Sequence, residues 1–285
     1  MSVWKLRTRE LDVSRGVIMG VINATPDSFS DGGLHLDDAA AVAAGRAMID
    51  QGADLVDIGG ESTRPGAEEV PAIEELRRVI PVVEALAAAG AVVSIDTSKP
   101  EVARAALDAG AEIVNDVTAA STPGMTDVLG ETGAGVVLMH MKGTPRTMQR
   151  EPTYDDVVGE VATFLDAKAQ LVIDAGVAPA AVAIDPGIGF GKTVTHNLEL
   201  IDGLALLAEM GFPLVLGTSR KAFLGRVARI EDPARRDGVT AVTTALGFER
   251  GARVFRVHNV VSSRAALSLA AAIVSPQQWD EWSQD

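Results

Sequence analysis

"VVSIDTSKPEVARAALDAGAEIVNDV", residues 92–117, reads as strand, helix, strand. The apolar run VVSIDT is short, β-branched and closed by turn residues, which suits a buried strand. KPEVARAALDAG follows, with a proline near its start and a glycine at its end, the punctuation of a helix. EIVNDV is then a second strand. Outward from this stretch in both directions the same unit recurs. The runs GVIMGVIN, ADLVDIGGES, VVSIDT, EIVNDV, GVVLMH, VAIDPG, PLVLGTS and RVFRVHN alternate with alanine-rich amphipathic stretches such as DDAAAVAAGRAMIDQG and AIEELRRVIPVVEALAAAG. Eight β-then-α units with no linker-like or low-complexity break predict one parallel sheet and one domain over residues 1–285. An open doubly wound sheet would alternate in the same way, but eight units in this length suit an α/β fold of the (β/α)8 TIM barrel type. The segment before residue 16 alternates like a short N-terminal β-hairpin, placed to plug the N-terminal end of the barrel.

Of the 285 residues 47% are hydrophobic, enough for a sizeable core. Lys plus Arg number 25 against 39 Asp plus Glu, a net charge of -14 that repels nucleic acid and anionic membranes at long range. An anionic ligand therefore has to be captured by local cations. Cysteine is absent, which excludes disulfides, thiolate nucleophiles and cysteine-bound metals and fits a reducing, cytoplasmic setting. The stretch MSVWKLRTRELDVSRG is too charged for a signal peptide, and no apolar run approaches the ~18 residues that span a bilayer. Neither secretion nor membrane insertion is expected.

The strand ends carry the chemistry. Each apolar run finishes on polar or ionisable residues: Asn23; Asp57 and then Glu61; Asp96; Asn115 and Asp116; His140; Asp185; Thr218 and Ser219; Arg256 with His258. In a barrel all of these meet at the C-terminal face, where active sites are built. Any single one reads equally well as a turn or capping residue, but eight in a row do not. DPGIGFGKT, residues 185–193, is a glycine loop after a strand; the Walker spacing fails at Pro186 and the dinucleotide spacing fails at Lys192. It leaves Asp185 either as a helix cap or as a buried carboxylate that takes two parallel N–H donors from a guanidine-like ring edge. Arg256 and His258 lie two residues apart on one strand and so face the same way, either as a phosphate clamp or as a solvated strand end. In TSRKAFLG, Lys221 opens a helix where the macrodipole disfavours a cation, which points to an anionic or carbonyl ligand or to Schiff-base chemistry. The glycine-flanked loops NATPDSFSDGG and GGESTRPG read as a pair of lids or as ordinary loops. The four histidines lack HxH or HExxH spacing, which argues against a tightly held transition metal, and His196 reads as structural.

At these motifs the chain closely resembles the dihydropteroate synthase family. NATPDSFSDGG, DIGGESTRPGA, SIDTSKPEVA, IVNDV, LMHMKGTPRTMQ, DPGIGFGKTVTHN, GTSRKAFLG and RVHNV are similar to that family's blocks, in order, across residues 17–260. The resemblance implies a pterin-binding (β/α)8 barrel that joins 6-hydroxymethyl-7,8-dihydropterin diphosphate to 4-aminobenzoate and releases pyrophosphate. It implies a sulfonamide target, Mg²⁺ as cofactor and a cytoplasmic homodimer. It places Asp96, Asn115, Met139, Asp185, Gly217 and Lys221 around the pterin. Asn23, Thr63, Arg256 and His258 fall on the diphosphate, with Asn23 also placing the magnesium. Phe29, Thr63, Pro65, Phe190, Lys221 and Ala222 fall on 4-aminobenzoate, and Asp96, Lys221, Asp31 and Arg64 are the catalytic set. The two lid-like loops would then close over the diphosphate and build half of the aminobenzoate site.

The reaction so implied is dissociative: pyrophosphate departs, a pterin methylene cation remains, and the weakly nucleophilic amine attacks it. Ala222 departs from the family pattern, in which serine often follows the lysine. A hydroxyl toward the aminobenzoate carboxylate is missing, while the backbone N–H at the helix start is kept. Two other readings compete. One is a pterin barrel that passes a methyl group to a corrinoid protein, which needs no diphosphate clamp; the other is a paralogue that binds pterin without turnover.

Overall fold

A computed structural model describes residues 2–24, 34–62, 69–144, 147–148 and 150–278. Strands β1 (Val3–Lys5) and β2 (Glu10–Asp12) form an antiparallel hairpin. Eight parallel strands follow: β3 (Val17–Asn23), β4 (Leu55–Gly59), β5 (Val93–Asp96), β6 (Ile113–Asp116), β7 (Gly135–Met139), β8 (Val182–Asp185), β9 (Val215–Leu216) and β10 (Val254–Val257). Their order is β8-β7-β6-β5-β4-β3-β10-β9, and one parallel bridge, Ile184 to Leu214, joins the two ends into a barrel. Nearly every strand residue is buried, as expected of strands covered on both faces.

The helices between them are α1 (Leu34–Asp50), α2 (Ala72–Ala88), α3 (Pro100–Asp108), α4 (Met125–Thr132), α5 (Val157–Asp174), α6 (Val194–Asp202), α7 (Leu204–Ala208), α8 (Ala222–Ala228), α9 (Asp237–Glu249) and α10 (Val260–Val274). The simple alternation read from the sequence is elaborated late in the chain, where β8 is followed by α6 and α7 and β9 by α8 and α9. A break at Gly203 separates α6 from α7. His196 is structural, as expected: with Thr193 it forms a reciprocal capping box at the start of α6.

The hairpin is a plug. Trp4 and Leu6 are fully buried among Val17, Met19, Leu55, Ile113, Val137, Ala183, Val215 and Val254, which come from seven of the eight barrel strands. The Trp4 indole N–H donates to the Ala181 carbonyl at 2.9 Å, so the polar atom of this buried side chain is satisfied. This apolar floor closes the N-terminal end and leaves only the C-terminal end open to a ligand.

Candidate active site

Side chains alternate along a strand, so the apolar floor sets the inward register and the residues two and four further on continue it. From Met19 the register gives Val21 and Asn23; from Leu55, Asp57; from Ile113, Asn115 and Val117; from Val137, Met139. Likewise Ala183 leads to Asp185, Val215 to Gly217 and Ser219, and Val254 to Arg256 and His258. The cavity at the C-terminal mouth is lined by Val21, Asp96, Asn115, Val117, Met139, Asp185, Phe190, Gly217, Ser219, Lys221, Arg256 and His258. Alternation along these seven strands thus turns a dry floor into a polar mouth within two to four residues.

A charge network lies beneath it. Arg256 donates from Nε to Asp57 Oδ2 and from Nη2 to Asp96 Oδ2, both at 2.6 Å, and Asn115 Nδ2 donates to the same Asp57 oxygen at 3.0 Å. Asp57 is fully buried and its second oxygen, Oδ1, has no hydrogen-bond partner. Burial pushes the Asp96 carboxyl up to about 7; Arg256 opposes that rise, and the neighbouring Asp57 charge adds to it. Burial works against the Arg256 charge, but its two carboxylate partners more than compensate and hold its pKa above the ordinary arginine value. Two carboxylates sharing one guanidinium are left under-neutralised, a setting that favours a further cation beside Asp96.

Across the mouth, Asp185 accepts from the Gly187 backbone N–H at 2.7 Å. Helix α6 begins only at Val194, so Asp185 is not its cap. Burial raises its pKa against the pull of Lys221. Lys221 is the N-cap of α8; its Nζ donates to the Ile188 carbonyl and lies 4.7 Å from the Phe190 ring centroid. Burial draws that ammonium down to about 8, with Asp185 resisting. Gly217 keeps the space between them open, since a Cβ there would lie 3.8 Å from Lys221 Nζ and 3.9 Å from Asp185 Oδ2. At the third corner His258 shares the Ser219 hydroxyl through its backbone N–H at 3.1 Å and Nδ1 at 2.9 Å.

A family model described as pterin binding enzyme matches residues 19–258. The dihydropteroate synthase of Escherichia coli K12 is 44% identical over 269 residues, covering 94% of this chain and 95% of that one. The chain belongs to the dihydropteroate synthase family. Among solved structures, the Xanthomonas albilineans dihydropteroate synthase with 4-aminobenzoic acid aligns at a TM-score of 0.91 with 45% identity, covering 96% of this chain and 98% of that one. The same protein in complex with 7,8-dihydropteroate aligns at 0.88 with 42% identity, covering 96% and 99%. The Yersinia pestis dihydropteroate synthase in a sulfonamide drug complex aligns at 0.91 with 40% identity, again covering 96% and 99%. As a family member the chain is an enzyme that transfers a pterin group, and its function is dihydropteroate synthesis. These matches favour neither the methyl-transferring barrel nor the silent paralogue.

Of the positions that the family resemblance singles out, Asp96, Asn115, Met139, Asp185, Phe190, Gly217, Lys221, Arg256 and His258 share the one cavity. Asn23 ends β3 in the inward register but is half-exposed at the rim, outside the cavity lining. Ala222 is exposed at the first residue of α8. Phe29, Asp31, Thr63, Arg64 and Pro65 lie outside the described residues, as do most of the two lid-like loops. Not every strand-end polar residue faces the ligand, however. Asp116, His140 and Thr218 occupy the outward register: Asp116 caps the turn at Thr118 and Ala120, His140 packs edge-on against Phe164, and Thr218 bonds Thr243 at 2.6 Å. Asp57 and Ser219, to which the sequence reading assigns no role, belong to the site, and period two counted from Leu55 and Val215 is the signal that finds them.

Proposed function

We propose that this cavity condenses 6-hydroxymethyl-7,8-dihydropterin diphosphate with 4-aminobenzoate, an aryl-amine alkylation without a covalent enzyme intermediate. The observation that carries this reading is the convergence of Asp96, Asn115, Asp185, Lys221, Arg256 and His258 on one mouth. Asp185 accepts from the 2-amino and N3 edge of the ring, as a carboxylate does from a guanidinium. Asn115 pairs with another ring edge, Lys221 donates to the ring's polar atoms, and Met139 and Phe190 form its apolar walls. Arg256 uses two of its five N–H donors on Asp57 and Asp96, and the others face the diphosphate together with His258.

As pyrophosphate departs, positive charge develops on the methylene carbon next to Asp96. A carboxylate whose charge burial disfavours gains most from such a cation, so the site binds the transition state better than the ground state. The amine then attacks from the 4-aminobenzoate side, bordered by Lys221 and Ala222. Thr63, Arg64 and Pro65, with Phe29 and Asp31, complete that side in this reading.

For the cation, no group of three or more His, Cys, Asp or Glu residues close enough to hold a metal is present among the described residues. The rim offers the neutral amide oxygen of Asn23. That donor set suits a hard cation that travels with the diphosphate and keeps most of its waters, and Asn23 would hold it. Mg²⁺, when bound, neutralises charge on the leaving pyrophosphate. Removing magnesium with EDTA and restoring it should abolish and then recover turnover.

Val242 and Leu246 on α9 and Val261, Leu269, Ile273 and Val274 on α10 leave exposed apolar side chains on two packed helices, which supports a homodimer through this face. Sedimentation would show a mass near twice 29.6 kDa. No described helix is long and apolar enough to cross a membrane. A cytoplasmic site of action and sensitivity to sulfonamides complete the proposal.

The test is pyrophosphate release with the pterin diphosphate and Mg²⁺, with and without 4-aminobenzoate, and a mass measurement of the product. Release that depends on 4-aminobenzoate, with dihydropteroate formed, is the expected result. Pterin bound without turnover would instead make the chain a binding protein.

A further inference from the structure

Behind the wall of the cavity sits a cation that none of these roles uses. Lys192 ends the loop from β8 to α6 and is only 3% exposed. Its Nζ lies 2.9 Å from His140 Nδ1, 2.9 Å from the Gly187 carbonyl oxygen and 3.0 Å from the Phe190 carbonyl oxygen, with the His140 carbonyl at 3.4 Å. In its ammonium form Lys192 has three N–H donors and no acceptor, so the three nearer partners take all three and His140 Nδ1 is then the acceptor. Burial, followed by the Lys192 charge itself, holds the His140 ring down at about 3, so the ring stays neutral and able to accept.

The loop tied down on this side faces the ligand on the other. Its Gly187 N–H donates to Asp185 Oδ1, its Ile188 carbonyl accepts from Lys221, and its Phe190 ring lines the cavity. The same turn also requires a glycine where the chain passes His140. Gly187 has φ +65°, and a Cβ on it would fall well inside contact with the His140 carbonyl oxygen.

We propose that Lys192 is a positioning residue of the pterin subsite: by holding the Gly187 and Phe190 carbonyls from behind, it sets Phe190, Asp185 and Lys221 in the geometry that receives the ring. This inference rests on the proposed synthase reading. It also has an electrostatic side. The charged groups facing Lys192 are Asp185, Lys221 and Lys142; burial draws its own pKa down to about 7, Asp185 resists, and the two lysines add to the fall. Reciprocally, Lys192 is among the cations that restrain the upward shift of Asp185.

The test is equilibrium titration of the whole chain with pterin diphosphate and Mg²⁺ from pH 5 to 8.5, comparing wild type with Lys192→Met and following thermal melting in parallel. The methionine fills the space but strands three buried acceptors, so the expected Kd is at least tenfold weaker at pH 7. Loss of the cation also lifts Asp185 further, so affinity in the variant fails at a higher pH than in wild type, a shift that a purely structural role would not produce. A folded Lys192→Met with wild-type Kd and an unmoved acid limb overturns the proposal. If that variant does not fold, Lys192→Arg decides: it keeps the charge but cannot aim three donors as an ammonium does. Its Kd should weaken while its acid limb stays in place, and a Kd within twofold of wild type overturns the proposal. Wild-type protein that fails to bind the pterin at all would sink the synthase reading instead.

Discussion

Asp57→Asn separates the charge beneath the cavity from its shape. The side chain is fully buried, one oxygen takes both Arg256 Nε at 2.6 Å and Asn115 Nδ2 at 3.0 Å, and the other has no partner. Asparagine fits by setting its oxygen toward Arg256 and its NH2 where Oδ1 stood. Losing one member of a buried ion pair costs about 3–5 kcal/mol. Arg256, however, has a side chain one quarter exposed and keeps Asp96 at 2.6 Å, which reduces the expected loss to about 2 kcal/mol. With an unfolding entropy of about 0.6 kcal/mol/K for a chain of this length, Tm should fall by ~3 °C.

The pH dependence carries the sharper prediction. In the folded protein Asp96 titrates at about 7, above its unfolded value, so native protein binds more protons than unfolded protein between the two values. Its contribution to stability is full at acid pH and is lost as pH rises through about 7. Removing the Asp57 charge lowers the folded pKa of Asp96 and trims that loss. The Tm deficit of Asp57→Asn should therefore be larger at pH 5 than at pH 8. For the same reason the acid limb of kcat/KM for pterin diphosphate should move to lower pH. Thermal melts and initial rates over pH 5–9 measure both. A Tm within 1 °C of wild type together with an unmoved acid limb would refute the network as the source of the Asp96 shift.

Trp4→Ala empties the plug at the end opposite the site; a loss of about 4 kcal/mol should lower Tm by ~7 °C while kcat/KM stays within twofold, and a parallel fall in kcat/KM would show that plug and site are coupled. Gly187→Ala places a methyl group against the His140 carbonyl at a positive φ, so pterin affinity should drop more than tenfold, and wild-type affinity would contradict the account of this loop. Ala222→Ser adds a hydroxyl at the start of α8 beside Lys221; one half-exposed hydrogen bond of about 1 kcal/mol corresponds to a roughly fivefold lower KM for 4-aminobenzoate, and an unchanged KM would mean that the substituted position does not face the carboxylate.

The barrel was legible because its strands are buried on both faces and so read as unbroken apolar runs, and because each run stops at a polar residue. The side of the strand on which that residue falls was harder to see. His140 and Asp185 both end strands, yet one ring packs outward on α5 and the other carboxylate faces the ligand, and the ending alone does not distinguish them. Counting from the floor does, but the floor is known only once Trp4 and Leu6 are seen to fill it. The pairing of Arg256 with Asp57 is hidden for another reason: 199 positions separate them, and only the sheet order, in which β10 pairs with β3 and β3 with β4, brings them together. In the sequence Lys192 shows only as a misfit in a nucleotide motif, because a buried ammonium is recognisable by its acceptors, and most of those are backbone carbonyls.

The single bridge between Ile184 and Leu214 makes the barrel's circumference uneven. Elsewhere neighbouring strands share at least two paired positions, whereas β8 and β9 meet through one bridge, next to the point where Asp185 leaves one lip and Gly217 the other. The ring of backbone is therefore weakest along the line that divides the two sides of the ligand site. Local opening follows the least-bonded path, so exchange of the Ile184 amide, which donates to the Pro213 carbonyl across this seam, should outpace that of the other strands in the free protein. A ligand held by Asp185 on one lip and Lys221 on the other bridges this seam from within, and slower exchange there on binding would mark the substrate as the barrel's missing cross-link.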